Sequence, residues 1–210
     1  MESNIFPWLF FLFAIFALVV GVLCAMSAAR KTRQTMRTLA ERLGLSIVQP
    51  EPVLGFIAQS PTVEGLRRGK YLRIHTFSTG SGKSRKTWAA VSARTRGRSL
   101  AFTLESQGIG SKIKEMFGVK EITVGDRLFD EAWFVRAEPA EFFRIALIPE
   151  LRERLMAGRT AGLKGVFRCE QGEVRYAEVG GFADPGKVER YLLAADLCCD
   201  LADVADVAGA

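Results

Sequence analysis

The chain has 210 residues, 49% apolar and 25% charged, with a net charge of +6, one histidine and four cysteines. A lone histidine leaves little for histidine-based zinc sites or Ser-His-Asp chemistry. The charge is unevenly placed: residues 30–98 carry 15 basic and three acidic side chains, whereas residues 99–210 carry 14 and 19.

The first predicted element is a membrane anchor. Residues 3–29 hold no charged side chain, and Phe6 to Met26 is almost wholly apolar. A single helix needs roughly 20 such residues to cross the hydrocarbon core with its backbone groups satisfied internally. Pro7 suits a first helical turn and Trp8 suits an interface. A cleaved signal peptide is the rival reading, with Ala25-Met26-Ser27 as a cleavage site. It expects a basic start and an apolar core of about 7–15 residues, and only Glu2 precedes this longer run. Arg30, Lys31, Arg33 and Arg37 follow the span. The positive-inside rule therefore puts the N-terminus outside and the remainder in the cytoplasm, at the inner (plasma) membrane. Cys169, Cys198 and Cys199 are then expected to be free thiols, with Cys24 in the span.

The organisation read from this is an anchor at 1–29, a juxtamembrane amphipathic helix at 30–44 and an α+β domain at 45–210, with a candidate sub-boundary near 105–120. In the juxtamembrane helix Met36, Leu39, Ala40 and Leu43 make one apolar stripe, more commonly docked on a domain than laid on lipid. Gly44 is its stop. Residues 49–52, with two prolines, form an extended connector. Strands are predicted at 62–66, 71–78, 87–94 and 100–105, joined as an antiparallel meander, with a glycine-rich loop at 79–86. A helical turn at 111–117 and a strand at 121–124 follow. Asp126 caps a short helix that runs through Ala132, and 133–136 is a strand. Two proline-started helices cover 139–147 and 149–156. Strands at 163–169 and 173–178 flank the hairpin signal Gln171-Gly172. Asp184-Pro185 opens a long C-terminal helix as N-cap and first position, and residues 204–210 are expected to fray.

Chemistry-bearing motifs are few. Thr79-Gly80-Ser81-Gly82-Lys83-Ser84 resembles the end of a P-loop, which gives the alternative of a nucleotide- or phosphate-handling enzyme. The pattern requires a glycine at position 77, which is Phe77, and a helix after the loop, where residues 86–91 read as a strand. Lys83, Arg85 and Lys86 with nearby amides can still contact a phosphate on a headgroup, or an acidic protein partner. Asp126 and Asp130, with Glu131, share a helical face; capping and pairing with Arg127 or Arg136 is the plainer role than acid–base work. Cys198 and Cys199 point about 100° apart on a helix, a poor chelating pair. Cys169 reads as a small core residue and His75 as structural. Aromatics are not interleaved with the basic residues as a nucleic-acid platform requires. No catalytic, metal or cofactor site emerges, so the expectation is a non-enzymatic binding or scaffolding module beside a bilayer. The basic half offers a further alternative, recognition of anionic lipid, at about 1 kcal/mol per basic residue close to the surface.

Five segments stand out beyond these motifs: Leu54-Gly55-Phe56, Val63-Glu64-Gly65, the loop from Ser78 to Thr87 with Trp88, the run from Val124 to Val135, and Pro149-Glu150-Leu151. In these the chain resembles uncharacterised bacterial membrane-anchored proteins of the DUF3137 type. The resemblance implies an anchored domain of unknown activity and transfers no site residue.

Overall fold

The computed structural model describes residues 5–49, 60–107 and 121–209, with side chains from residue 11 onward. Its first helix, α1 (Ile5–Leu43), is 39 residues long, about 58 Å at the usual rise. The apolar stretch and the basic juxtamembrane helix are therefore one uninterrupted rod. Its most apolar window has a mean hydropathy of 2.6 and is not buried at all, so α1 is long and apolar enough to span a membrane. The amphipathic stripe does dock: Met36, Leu39, Ala40 and Leu43 are all buried in the core. Gly44, at φ 68°, ends the helix in the left-handed region that glycine tolerates.

The strands are β1 (Ser46–Val48), β2 (Thr62–Arg67), β3 (Lys70–Thr79), β4 (Lys86–Arg94), β5 (Ala101–Ser106), β6 (Trp133–Glu138), β7 (Val166–Glu170) and β8 (Glu173–Val179). They form a single antiparallel sheet in the order β1-β2-β3-β4-β8-β7-β5-β6. The predicted meander holds from β2 to β4 and then breaks. The neighbour of β4 is β8, and β5 lies between β7 and β6. At the β7–β8 hairpin Glu170 pairs with Glu173, so Gln171-Gly172 is a two-residue loop with φ 55° and 80°. Positive φ at both positions matches the right-handed strand twist, as the sequence signal implied.

The remaining helices are α2 (Arg127–Ala132), α3 (Ala140–Ala146), α4 (Pro149–Thr160) and α5 (Lys187–Ala208). The protein is thus α+β, with an N-terminal membrane-type helix, an eight-stranded sheet and a long C-terminal helix. α5 crosses β4, β8 and β3, with α1, α3 and α4 beside it. Small residues at Ala194, Ala195, Cys198 and Ala202 let it lie close to the sheet, and the Tyr191 hydroxyl donates to the Ala89 carbonyl at 2.7 Å. An aromatic train extends the core across the sheet. Phe102 stacks on Phe143, and Trp133, Phe167, Tyr176, Tyr191 and Phe182 follow with centroids 4.8–6.0 Å apart.

Three local expectations change. Residues 121–124 form no strand; they run beside β6, with Ile122 N–H donating to Val135 at 2.9 Å. Asp184 is not the α5 cap. It receives the Gly186 N–H at 2.9 Å, and the helix begins one residue later, at Lys187. Residues 204–208 do not fray, because α5 continues to Ala208 with Ala205 buried. The two-proline connector, the helical turn at 111–117 and most of the candidate sub-boundary fall outside the described residues.

Candidate functional site on the open sheet face

Alternation along the strands sorts the sheet into two faces. Leu72, Ile74, Val91, Tyr176 and Phe167 point into the core beneath the helices. Tyr71, Arg73, His75 and Phe77 of β3, Trp88 of β4, Arg175 and Ala177 of β8, and Val166 and Arg168 of β7 share the other face. The β3 half of this division follows from the strand's own alternation. The β7–β8 half does not, because nothing local in residues 166–179 says that they lie beside β4.

On this face is a groove of about 370 Å³, lined by Phe77, Thr79, Trp88, Val166, Arg168, Glu170, Glu173, Arg175 and Ala177. Phe77 and Trp88 are cross-strand partners with nearly parallel rings, 6.2 Å apart. The Trp88 Nε1–H donates to Thr79 Oγ1 at 2.8 Å, which fixes the indole. The Arg175 guanidinium lies 5.7 Å from the Phe77 centroid and donates twice to Glu173 Oε1, at 2.8 and 3.0 Å. The lining is aromatic at one end and mixed in charge at the other. Ala90 and Ser92, also on this face, are buried between their larger neighbours.

His75 sits next to Phe77, its ring 6.0 Å away. Burial lowers its pKa below the ordinary imidazole value, and Arg73 and Arg175 push it further down against the opposing pull of Glu173. Both effects favour the neutral imidazole.

The glycine-rich loop joins β3 to β4 as strand, loop and strand. Gly80 and Gly82 take φ 77° and 54°, and residues Gly82–Ser84 make a single 3-10 turn closed by Ser84 N–H to Ser81 O at 3.1 Å. A turn between antiparallel strands presents no helix N-terminus, so the P-loop likeness ends at the sequence. Lys83, Arg85 and Lys86 are exposed on this hairpin and make no ion pair among the described residues. Arg30, Lys31 and Arg33 are likewise exposed and unpaired along α1, while Arg37 reaches Glu41 at 3.7 Å.

The charge gradient along the chain is partly cancelled in the fold. Arg67 pairs with Asp196 at 2.9 Å, Arg68 with Asp200 at 2.8 Å, and Lys70 with Asp203 at 2.9 Å and with Asp206. Arg42 pairs with Glu189. Four basic residues of the first half, Arg42, Arg67, Arg68 and Lys70, are thus paired with acidic side chains of α5.

The other candidates have internal roles. Asp126 Oδ1 accepts the Phe129 N–H at 3.2 Å as the α2 cap, and Asp130 accepts the Val124 and Gly125 N–H groups at 3.0 and 3.1 Å. Cys169, Cys198 and Cys199 are free, and the thiols of Cys198 and Cys199 point to different carbonyls, Val91 and Arg67. Burial raises Cys169 and Cys199 to about 11, which keeps both protonated at neutral pH. Among the described residues no group of three or more His, Cys, Asp or Glu is placed to hold a metal ion.

The fold and site define an α+β protein with an N-terminal helix long and apolar enough to span a membrane, whose antiparallel sheet carries helices on one face and a mixed aromatic–ionic groove on the other. No protein-family model matches the chain, and no curated protein matches it. Among solved structures it is similar to the mycobacterial trehalose monomycolate transport factor A, TtfA. The TM-score is 0.54 and the identity 11%, over 84% of this chain and 93% of that one. At that identity the likeness is one of fold.

Proposed function

We propose that this chain is a non-enzymatic binding or scaffolding module, held at the inner membrane by α1, whose groove on the open sheet face takes a protein partner. The groove itself carries the reading. Interface anchors are typically aromatic and arginine side chains set in a partly desolvated pocket with a polar rim. Phe77, Trp88 and Arg175 supply that set, with Glu170, Glu173 and Arg168 around them. The basic residues after the span support a cytoplasmic domain with the N-terminus outside. TtfA, with which the chain shares its fold, is a transport factor.

The test is photo-crosslinking in native membranes, with a photoreactive residue at position 88. A discrete protein adduct is expected there, and none from the same residue at Leu128, an exposed apolar position on α2. Adducts that are absent, or equal at both positions, would sink the proposal. So would turnover of a small substrate by the purified chain. Calorimetry with ATP and GTP, with and without Mg²⁺, serves as the matching control and should give no heat.

A further inference from the structure

The floor of the groove is the β7–β8 hairpin. Three successive open-face positions of each strand line it, and they pair directly across the ladder: Val166 with Ala177, Arg168 with Arg175, and Glu170 with Glu173. One step further along β8, Val179 pairs with Trp88 of β4. The groove is therefore graded along the strands: an aromatic row, a row of small apolar side chains, an arginine row and a glutamate row. Alternate residues of a strand lie about 6.6 Å apart, so the four rows span about 20 Å.

Like charges directly opposite each other weaken a ladder. Here they occur twice in succession, although exchanging residues 173 and 175 would pair opposite charges across the strands. The fold relieves the repulsion along each strand instead: Arg175 reaches Glu173 at 2.8 Å and Arg168 reaches Glu170 at 3.7 Å. Each row thus keeps a single sign of charge toward the furrow between β7 and β8. One opposite charge placed in the furrow meets both members of a row.

An extended polypeptide carries the same spacing on one of its faces, so its alternate side chains fall on successive rows when it lies along the furrow. A polyanion would be repelled by the glutamate row, and an acyl chain would leave both charged rows unanswered. We infer that the groove takes an extended protein segment of about seven residues whose sheet-facing positions read, from the aromatic end, apolar, apolar, acidic, basic. The acidic side chain sits between Arg168 and Arg175 and the basic one between Glu170 and Glu173. The apolar ones cover Trp88 and the Val166–Ala177 pair. This deepens the protein-partner reading above and rests on it. Surface ion pairs are individually weak, so the charged rows select sequence and direction while the aromatic end supplies most of the hold.

The full-length chain in phosphatidylcholine nanodiscs is titrated with fluorescein-labelled peptides. One pair reads Leu-Ser-Leu-Ser-Glu-Ser-Lys in its two chain directions; a second pair has Glu and Lys exchanged. Anisotropy should show saturable binding of the first sequence in one of its directions, about tenfold tighter than with the charges exchanged. In a variant carrying Arg168→Glu, Glu170→Arg, Glu173→Arg and Arg175→Glu the preference should invert, because the rows trade places while the pairs along each strand are kept. An unchanged amide spectrum shows that the variant is folded, and the comparison on the native chain stands by itself if it is not. Equal binding of both pairs, a preference that survives the exchange, or no binding by any peptide overturns the inference. Displacement of the peptides by laurate, with no charge preference among them, assigns the groove to an acyl chain and overturns it too. A crosslink that persists from position 88 in any of these cases leaves the partner reading standing, so the two fail separately.

Discussion

A Cβ at Gly97 would lie 2.2 Å from the Ala205 carbonyl oxygen and 3.3 Å from the Gly209 Cα, a contact with backbone that no side-chain rotation relieves. The approach is close because the backbone there is bonded to α5. The Arg96 and Gly97 N–H groups donate to Asp206 Oδ1 at 2.6 and 3.4 Å, and the Ser99 hydroxyl donates to Ala208 O at 2.8 Å. We predict that Gly97→Ala destabilises the domain by about 1–3 kcal/mol, the usual range for overpacking. Gly181→Ala, which meets nothing within 4 Å, should be close to neutral. Denaturant midpoints of the two variants in detergent test this, and equal midpoints would refute the clamp. The same contacts explain why fraying was the natural expectation for the last residues. Their own pattern is weak, and what holds them is backbone about 109 positions upstream. Asp126 and Gln171-Gly172 were legible because their partners lie within three or four residues. Asp184 was half legible: a local acceptor it is, but Pro185 and Gly186 form the approach to α5 and not its first turn.

At the scale of elements, the seam between the β2–β3 hairpin and α5 shows how pairing decides what a charge is for. Burial opposes charge at Asp206, but Lys70 and the Arg96 and Gly97 N–H groups outweigh it and hold the carboxyl below its ordinary value. A carboxylate with a depressed folded pKa contributes stability that is complete above its unfolded pKa, about 3.9, and is lost as pH falls through the folded value. Acid should therefore weaken the seam from about pH 4 downward. Asp206→Asn should reduce stability near neutrality by about 1–3 kcal/mol, because Lys70 is left with Asp203 alone. It should also flatten the stability loss below pH 4. Urea midpoints across pH 3–7 measure both effects, and parallel pH profiles for variant and parent would contradict them. This is also where sequence reading reaches its limit. Strand positions follow from alternation, but strand order depends on pairings such as β4 with β8, whose partners are 79 to 91 positions apart. Such partners leave no local mark, so an expected meander became a sheet closed by a distal hairpin. The groove was hidden for the same reason: Phe77 and Trp88 were in view, while Arg175 and Val166 reach them only through that pairing.

For the whole molecule, the decisive fact is that the membrane-type stretch and the stripe docked on the domain share one helix. The apolar run and its basic foot were legible from composition, because crossing a bilayer imposes a length and a polarity on consecutive residues. Composition does not disclose the rigidity of the joint, which needs both an unbroken helix and the burial of Met36, Leu39 and Leu43 against the domain. Met36 lies ten residues beyond Met26, about 15 Å along the helix axis, roughly twice the thickness of one headgroup layer. A helix docked at its far end cannot let the domain tumble, so the sheet should keep a preferred angle to the membrane plane. That angle governs whether the groove is presented sideways to a neighbouring membrane protein or away from the bilayer. Four glycines inserted between Arg33 and Gln34 would interrupt the rod in its exposed segment and spare the docked stripe. Flexible glycine linkers transmit no orientation. The expected outcome is an unchanged denaturation midpoint for the domain, with the amide I dichroism of the sheet in oriented bilayers falling toward the isotropic value. The discrete crosslink from position 88 should weaken in parallel if the partner is itself fixed in the membrane. Retention of full dichroism in the insertion variant would mean that the domain is oriented by contacts of its own with the bilayer, and α1 would then be a tether and not a lever.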